Sequence, residues 1–285
     1  MIDLSITYLC VTCGTQFPAA EHPPDDCPIC KDERQFVGLQ GQQWTTFEKL
    51  QQTHRNTFFQ EGAGVWGIQT VPNFAIGQRA LLIRSANRNI LWDCISLIDP
   101  DTIALVNWLG GISAIAISHP HYYTSMIEWS RSFGSVPIYL HENDRQWVQR
   151  PDACIRFWQG DTYSLEQGMT LIRMGGHFPG FQVLHSAGAE DGRGALFTGD
   201  QPQVCPDRRY VSFMYSYPNF IPLDAASVRR IVSALEPYGF RKLYGAWPKF
   251  TVEGDPKIAL RRSAERYLRA IGDLRPLDLE HSSVA

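Results

Sequence analysis

The sequence lacks the features that mark membrane proteins, nucleic-acid-binding proteins and exported proteins. No window approaches the roughly 18 consecutive apolar residues of a membrane-spanning helix. Lys and Arg number 26 against 29 Asp and Glu, so the net charge of −3 offers no basic surface for nucleic acid. The first ten residues, MIDLSITYLC, have no basic start and no long apolar stretch. We therefore expect no signal peptide and a cytoplasmic location.

Repeats and low-complexity segments are also missing, and the composition is that of a globular protein. Hydrophobic residues make up 44% of the chain and aromatic residues 12%, which is enough for a sizeable buried core. A length of 285 residues suits one large α/β domain with a small appendage, or two modest domains.

Four of the seven cysteines form two Cys-x-x-Cys pairs near the N-terminus, Cys10 with Cys13 and Cys27 with Cys30. The odd total, the paired spacing and the expected cytoplasmic location favour metal ligation over disulfides. Four thiolates in tetrahedral geometry suit a structural Zn²⁺, as in zinc ribbons. One iron ion, as in rubredoxin, is the alternative for the same sulfur set.

The cysteine pattern predicts a small metal-stabilised module over residues 1–40, because so short a segment cannot bury a core of its own. The polar, Gln-rich residues 41–63 are interpreted as a connector that carries one short amphipathic helix, WTTFEKLQQTH. The main domain is expected over residues 64–285.

The main domain combines hairpin-like strands with strands that alternate with helices. VWGIQTVP, RALLIRS and NILWDCIS read as strands, and ISAIAIS is a continuous apolar run typical of a buried strand. YYTSMIEWSRSFG, PLDAASVRRIVSALEPYGF and DPKIALRRSAERYLRAIGDL read as helices. This order indicates an α/β fold in which two sheets pack face to face with helices outside.

Polar residues with ligand chemistry follow several of these strands. His119 and His121 come after ISAIAIS, His177 lies beside glycines after another apolar strand, and Asp200 ends RGALFTGD. Asp93 stands in the same kind of position, after NILW. Strand ends next to glycines are places where a backbone bends around a site. These residues are therefore candidates for one metal centre.

The order of these elements resembles the metallo-β-lactamase superfamily over roughly residues 64–250. The matching elements are Asp93, the His-x-His pair, the Gly-His-x-Pro-Gly segment at 176–180, and the Gly-Asp pair at 199–200. The resemblance implies a four-layer αββα sandwich with the metals at one edge of the two sheets.

The chain departs from the family at the ligands of the second metal. The family signature continues as His-x-His-x-Asp-His, but Tyr123 and Thr124 occupy the last two positions here. The family's late histidine also has no counterpart, because residues 245–247 read Gly-Ala-Trp. Every ligand that the resemblance assigns to the second metal alone is therefore missing.

The ligands that the resemblance assigns to the first metal are all present: His119, His121 and His177, with Asp200 as the carboxylate that bridges both metals in the family. We therefore expect a mononuclear site. Three imidazoles with one open position suit Zn²⁺ and an activated water. Two histidines with Asp200 would suit Fe²⁺ and O₂, and the superfamily includes iron-dependent persulfide dioxygenases.

The expected function is a mononuclear metallo-hydrolase that acts on an ester, thioester, lactone or amide of a small molecule. Asp200, or Asp93 behind the ligands, would orient the water, and Tyr123 is a candidate proton donor. One ion lacks the clamp of a two-metal phosphodiesterase, so a nuclease is disfavoured. The alternatives are an iron oxygenase acting on a thiol-type substrate and a non-catalytic binding protein. No nucleic acid or membrane partner is indicated, and the oligomeric state stays open.

Overall fold

Two β-sheets packed face to face, with helices on both outer sides, form the body of this protein. The computed structural model describes residues 6–85, 88–166 and 168–277. Within these residues, none of the helices combines the length and the apolarity needed to cross a bilayer.

The N-terminal segment forms a small sheet around the cysteines. Its strands pair in the order β2-β1-β3. Cys10 ends β1 and Cys13 lies in the turn that follows, whereas Cys27 caps α1 and Cys30 lies within it. The elements are β1 (Ile6–Cys10), β2 (Gln16–Ala20), α1 (Pro28–Lys31), β3 (Trp44–Thr45) and α2 (Phe47–Thr53).

The first sheet of the body has seven strands in the order β10-β9-β8-β7-β6-β5-β4. Strands β4 to β7 pair antiparallel as successive hairpins, and β7 to β10 run parallel. The elements are β4 (Arg55–Gly62), β5 (Val65–Val71), β6 (Ala80–Ile83), β7 (Ile90–Trp92), α3 (Pro100–Trp108), β8 (Ala114–Ala116), α4 (Met126–Ser132), β9 (Ile138–His141) and β10 (Ile155–Trp158).

The sheet begins before residue 64, inside the segment that the sequence assigns to the connector. Residues 55–62 form β4, the edge strand that pairs with β5 along its whole length. None of its residues is fully buried, because one of its faces meets solvent. An edge strand of this kind shows only a weak apolar alternation, so the sequence pattern does not distinguish it from a connector.

The second sheet has six strands in the order β11-β12-β13-β14-β19-β20. β14 and β19 run parallel, and their neighbours are antiparallel. The elements are β11 (Thr162–Glu166), β12 (Met169–Arg173), β13 (Gln182–Ser186), α5 (Ala189–Gly192), β14 (Ala195–Gly199), β15 (Gln203–Val204), β16 (Val211–Ser212), β17 (Met214–Ser216), β18 (Ile221–Pro222), α6 (Ala225–Leu235), β19 (Lys242–Gly245), β20 (Thr251–Glu253) and α7 (Pro256–Ala270).

Three apolar clusters lie between four layers. The inner cluster joins side chains of both sheets, such as Trp92 and Leu184. A second cluster packs the first sheet against α3 and α4, and a third packs the second sheet against α6 and α7. The helix–sheet–sheet–helix order confirms the predicted αββα sandwich with an N-terminal four-cysteine group.

The helix predicted over YYTSMIEWSRSFG is shorter in the structure. A 3-10 turn over residues 120–122 comes first, and α4 begins only at Met126. Thr124 between them has φ of +37°, a left-handed conformation that interrupts the helix. The interruption lets the chain turn so that side chains near residue 120 reach the edge of the sheets.

Candidate metal centre

The candidate ligands lie at one open edge of the sandwich. His119 follows β8 in the first sheet and Asp200 follows β14 in the second, each beyond the carboxyl end of its strand. His177 lies in the turn between β12 and β13. The two sheets therefore deliver ligands from both sides to the same place.

Four side chains meet there with their ligand atoms within 4.8 Å of one another: His119, His121, His177 and Asp200. All four residues are buried, between 1% and 5% exposed. Nε2 of His119 lies 3.3 Å from Oδ2 of Asp200, and Nε2 of His177 lies 3.4 Å from Nδ1 of His121. The structure thus brings together all four ligands predicted for the first metal.

The spacing and the hydrogen bonds of these donors fit a metal ion. Zn²⁺ bonds nitrogen at about 2.0–2.1 Å, so two donors on a tetrahedron lie about 3.3–3.4 Å apart. Nδ1 of His177 donates to the backbone carbonyl of Tyr215 at 2.7 Å. Because a carbonyl only accepts, that nitrogen carries the proton and Nε2 keeps its lone pair for an ion.

His119 is oriented in the same way. Its Nδ1 pairs with the hydroxyl of Ser118 at 2.9 Å. Nε2 of His119 is buried without a hydrogen-bond partner among the described residues, and so is Nε2 of His121. Burying an imidazole nitrogen without a hydrogen-bond partner costs free energy, and an ion bound to Nε2 of His119 would remove that cost.

Burial keeps the imidazoles in the neutral form that binds metal. Desolvation lowers the pKa of His119 and His121, and it lowers the pKa of His177 to about 3. Burial alone would raise the pKa of Asp200, but the proximity of Nε2 of His119 at 3.3 Å and the hydrogen bond from Tyr122 outweigh it, so the pKa lies below its usual value. Near neutral pH the group is therefore three neutral imidazoles and one carboxylate.

Two tyrosines hold Asp200, and neither is the predicted Tyr123. The hydroxyl of Tyr122 donates to Oδ1 of Asp200, and the hydroxyl of Tyr217 donates to the backbone carbonyl of Asp200 at 2.7 Å. Tyr123 lies beside Tyr122 in the same apolar cluster of the first sheet, and its hydroxyl is not among the described contacts of Asp200. Of the two neighbouring tyrosines, Tyr122 is therefore the one whose hydroxyl reaches a ligand.

Asp93 lies behind the ligands and not among them. Its Oδ1 accepts the backbone N–H of Ser118 at 2.7 Å, next to the first histidine. Burial raises its pKa to about 7, with a smaller contribution from the charge of Asp200. Gly199 passes so close that a Cβ there would lie 2.6 Å from the Ser118 hydroxyl. Asp93 therefore fixes the backbone that carries His119.

No other group of possible ligands in the described part of the chain replaces the missing ligands of a second metal near Thr124 and Trp247. Among the described residues, two groups of His, Cys, Asp or Glu are close enough to hold an ion, the histidine group and the four cysteines. Thr124 is buried, and Trp247 lies on the wall of a pocket beside the histidines.

The pocket beside the ligands has a volume of about 350 Å³. His121, His177 and Asp200 form its floor. The remaining lining residues are Thr12, Gln35, Phe36, Ala75, Ile76, Gln203, Tyr217, Pro218 and Trp247. Three of them, residues 12, 35 and 36, belong to the predicted cysteine module, and no local sequence signal had placed them there.

The four cysteines form the second candidate site. Sγ of Cys10 lies 3.5 Å from that of Cys30, and Sγ of Cys13 lies 3.6 Å from that of Cys27. Tetrahedral bonds of about 2.3 Å to Zn²⁺ place two sulfurs about 3.8 Å apart. The two sulfur–sulfur distances are close to this value, so the four thiols are spaced to hold an ion. Hydrogen bonds from the other thiols, that of Cys13 first, lower the pKa of Cys10. Both candidate groups suggest metal binding, with zinc as one suitable ion.

Comparisons with solved structures identify the fold. The metallo-β-lactamase DIM-1 matches 76% of this chain and 98% of its own, with a TM-score of 0.57 and 15% identity. The metallo-β-lactamase FIM-1 from Pseudomonas aeruginosa, solved in a mono-zinc form, matches 74% of this chain and 95% of its own, with a TM-score of 0.54 and 16% identity. The chain thus has the metallo-β-lactamase fold, as its motifs predicted.

Sequence comparison identifies the family. No family model matches the chain. The uncharacterized protein YmaE of Bacillus subtilis (strain 168) is 46% identical over 266 residues, which cover 93% of this chain and 96% of that protein. This chain belongs to the same family as YmaE.

Proposed function

We propose that this protein is a metal-dependent hydrolase with one ion in the histidine group, acting on an ester, thioester, lactone or amide of a small molecule. The observation that carries the proposal is the group itself: three neutral imidazoles and one carboxylate, buried with their ligand atoms within 4.8 Å of one another beside a pocket. A structural ion, Zn²⁺ or iron, in the four cysteines is part of the proposal.

His119, His121 and His177 would hold the ion, which supplies a Lewis acid and lowers the pKa of a bound water. Asp200 would accept a hydrogen bond from this water and so orient it toward the pocket. The Tyr122 hydroxyl holds the other carboxylate oxygen, so the carboxylate keeps one orientation. Asp93 keeps the first histidine in place through the neighbouring backbone.

A mono-zinc form of a sandwich with this fold supports a single ion, since FIM-1 was solved in that form. The proposed location is a reducing compartment such as the cytoplasm, because all four thiols must stay reduced to hold an ion. A small-molecule substrate is the proposed partner.

The proposal is tested by counting metals. Elemental analysis of the purified protein should find two ions per chain. His119→Ala should remove the ion of the histidine group alone, and Cys10→Ser should remove the ion of the cysteine group. Cys205→Ser is the matched control, because Cys205 belongs to neither group; it should keep both ions.

Hydrolysis of 4-nitrophenyl acetate by the same four proteins completes the test. The activity should follow the ion of the histidine group and disappear in His119→Ala. Iron in that group with no esterase activity would point to the oxygenase. A single ion that His119→Ala leaves in place would refute the catalytic function and leave a binding protein.

A further inference from the structure

The loop after the four-cysteine group is fastened to the loops around the metal centre. The Asn219 side chain donates to the backbone carbonyls of Glu33 and Gln35, at 2.8 and 2.9 Å. The Tyr215 hydroxyl donates to the Glu33 carboxylate at 2.6 Å. Residues 33–35 are thereby joined to the segment 215–219, whose Tyr215 also orients the ligand His177.

Arg34 is the centre of this attachment. Its guanidinium pairs with Asp32 at 2.5 Å and donates to the backbone carbonyl of His177 at 3.3 Å. It also lies over the ring of Phe178, 4.1 Å from the ring centre. Arg34 is only 8% exposed, and its guanidinium is paired with Asp32 inside the protein. Its positive charge therefore does not face the pocket, which Arg34 does not line.

The next two residues reach the pocket. Gln35 and Phe36 line its wall together with Ile76 and Trp247 of the sandwich. The Phe36 side chain is 49% exposed although its neighbours Arg34 and Gln35 are buried. A large ring that lines a pocket and is half open to solvent is a surface that a ligand can cover.

The wall carries no positive side chain. Among the described lining residues there is no Lys or Arg, and Asp200 is the only one that is charged near neutral pH. The other polar groups are the amides of Gln35 and Gln203 and the hydroxyls of Thr12 and Tyr217. A carboxylate or phosphate of a substrate would therefore find no cation in this wall apart from the ion itself.

We infer that the four-cysteine module is a substrate-binding part of the active site, in which Phe36 packs against an uncharged, apolar group of the substrate. This inference rests on the proposed function, because it assumes that the substrate reaches the ion of the histidine group. It narrows the substrate to an ester, thioester, lactone or amide whose acyl or leaving group is aromatic or aliphatic and bears no negative charge.

Two thiols test the inference without any turnover. A thiolate binds to an active-site ion whatever group it carries. Benzyl mercaptan adds an uncharged ring, and mercaptoacetate adds a carboxylate. Titration calorimetry on the metal-loaded full chain should give tighter binding of benzyl mercaptan, by at least about tenfold. Phe36→Ala should weaken benzyl mercaptan about fivefold and change mercaptoacetate less than twofold.

Leu39→Ala is the matched control, since Leu39 is fully exposed on the same segment but does not line the pocket. It should bind both thiols as the unaltered protein does. Metal content of each variant shows that both sites are intact. Equal binding of the two thiols, or an unchanged benzyl mercaptan affinity in Phe36→Ala, would overturn the inference and leave the proposed hydrolase standing. Failure of both thiols to bind, together with an absence of esterase activity, would overturn both.

Discussion

Asp144 is a buried carboxyl group whose ionisation the fold disfavours, and its replacement should change the pH dependence of stability. It lies in the 3-10 turn over residues 142–147 and is 1% exposed. Its Oδ1 accepts the backbone N–H of Gly180 at 2.8 Å, which closes the turn that carries His177. Burial raises its pKa to about 7, although the hydrogen bond from Gly180 and the charge of Arg34 act in the opposite direction.

The raised pKa of Asp144 makes the protein less stable as pH rises. Below about pH 4 the carboxyl is protonated in both the folded and the unfolded chain, and its full contribution to stability is present. Between there and about pH 7 the unfolded chain releases the proton while the folded chain keeps it, so the free energy of unfolding falls as pH rises. A shift of about three units corresponds to at most about 4 kcal/mol.

Asp144→Asn should abolish this pH-dependent part of the free energy of unfolding. The amide oxygen still accepts the hydrogen bond from Gly180, but the amide group does not ionise. Urea unfolding of both proteins at pH 5 and pH 8 measures it. The stability of the variant relative to the unaltered protein should rise by about 2–3 kcal/mol between the two pH values. Comparing the two proteins cancels the other groups that titrate, including the metal ligands.

Asp101→Asn is the control, because Asp101 is an exposed carboxylate in the first turn of α3. Its stability relative to the unaltered protein should change by less than about 0.5 kcal/mol between the two pH values. If Asp144→Asn showed the same relative stability at both pH values, burial of this carboxyl would not carry the assigned cost.

Two further substitutions have matched partners in the chain. Gly14→Ala should destabilise the protein by about 2 kcal/mol more than Gly41→Ala in urea unfolding. Both residues have positive φ, but only at Gly14 would a Cβ overlap a neighbour, the buried hydroxyl of Ser96. Equal losses would refute this. Tyr122→Phe should lower esterase activity about tenfold with the metal content unchanged, because Asp200 loses a charge-assisted hydrogen bond. Tyr123→Phe should keep the activity, and the opposite order would return the role to Tyr123.

Local patterns were sufficient for the ligands of both candidate sites. Each cysteine pair comes from one turn or helix start, and each histidine or carboxylate follows a strand at a bend, so short segments already determine where these side chains point. The order of the four elements along the chain then predicted the sandwich, which is confirmed by its layers and by the solved structures that it matches.

The features that the sequence did not reveal depend on contacts between distant segments. Tyr122 and Tyr123 are adjacent tyrosines, and only the folded chain shows that the hydroxyl of Tyr122 is the one that reaches Asp200. Arg34 resembles any surface arginine in the sequence, yet three rings and a carbonyl from residues more than a hundred positions away surround it. Nothing in the local pattern records such neighbours.

The contacts of Arg34 argue against removing the N-terminal cysteine module from this chain. The solved sandwiches correspond to about three quarters of it, which invites a shortened protein that starts at the sandwich. Such a truncation would uncover the rings of Trp147, Phe178 and Tyr215, against which Arg34 packs, and would remove part of the pocket wall. A shortened chain would therefore expose apolar rings, which favours aggregation, and would lack part of the pocket wall. Screening for substrates therefore requires the full chain with metal bound at both candidate sites.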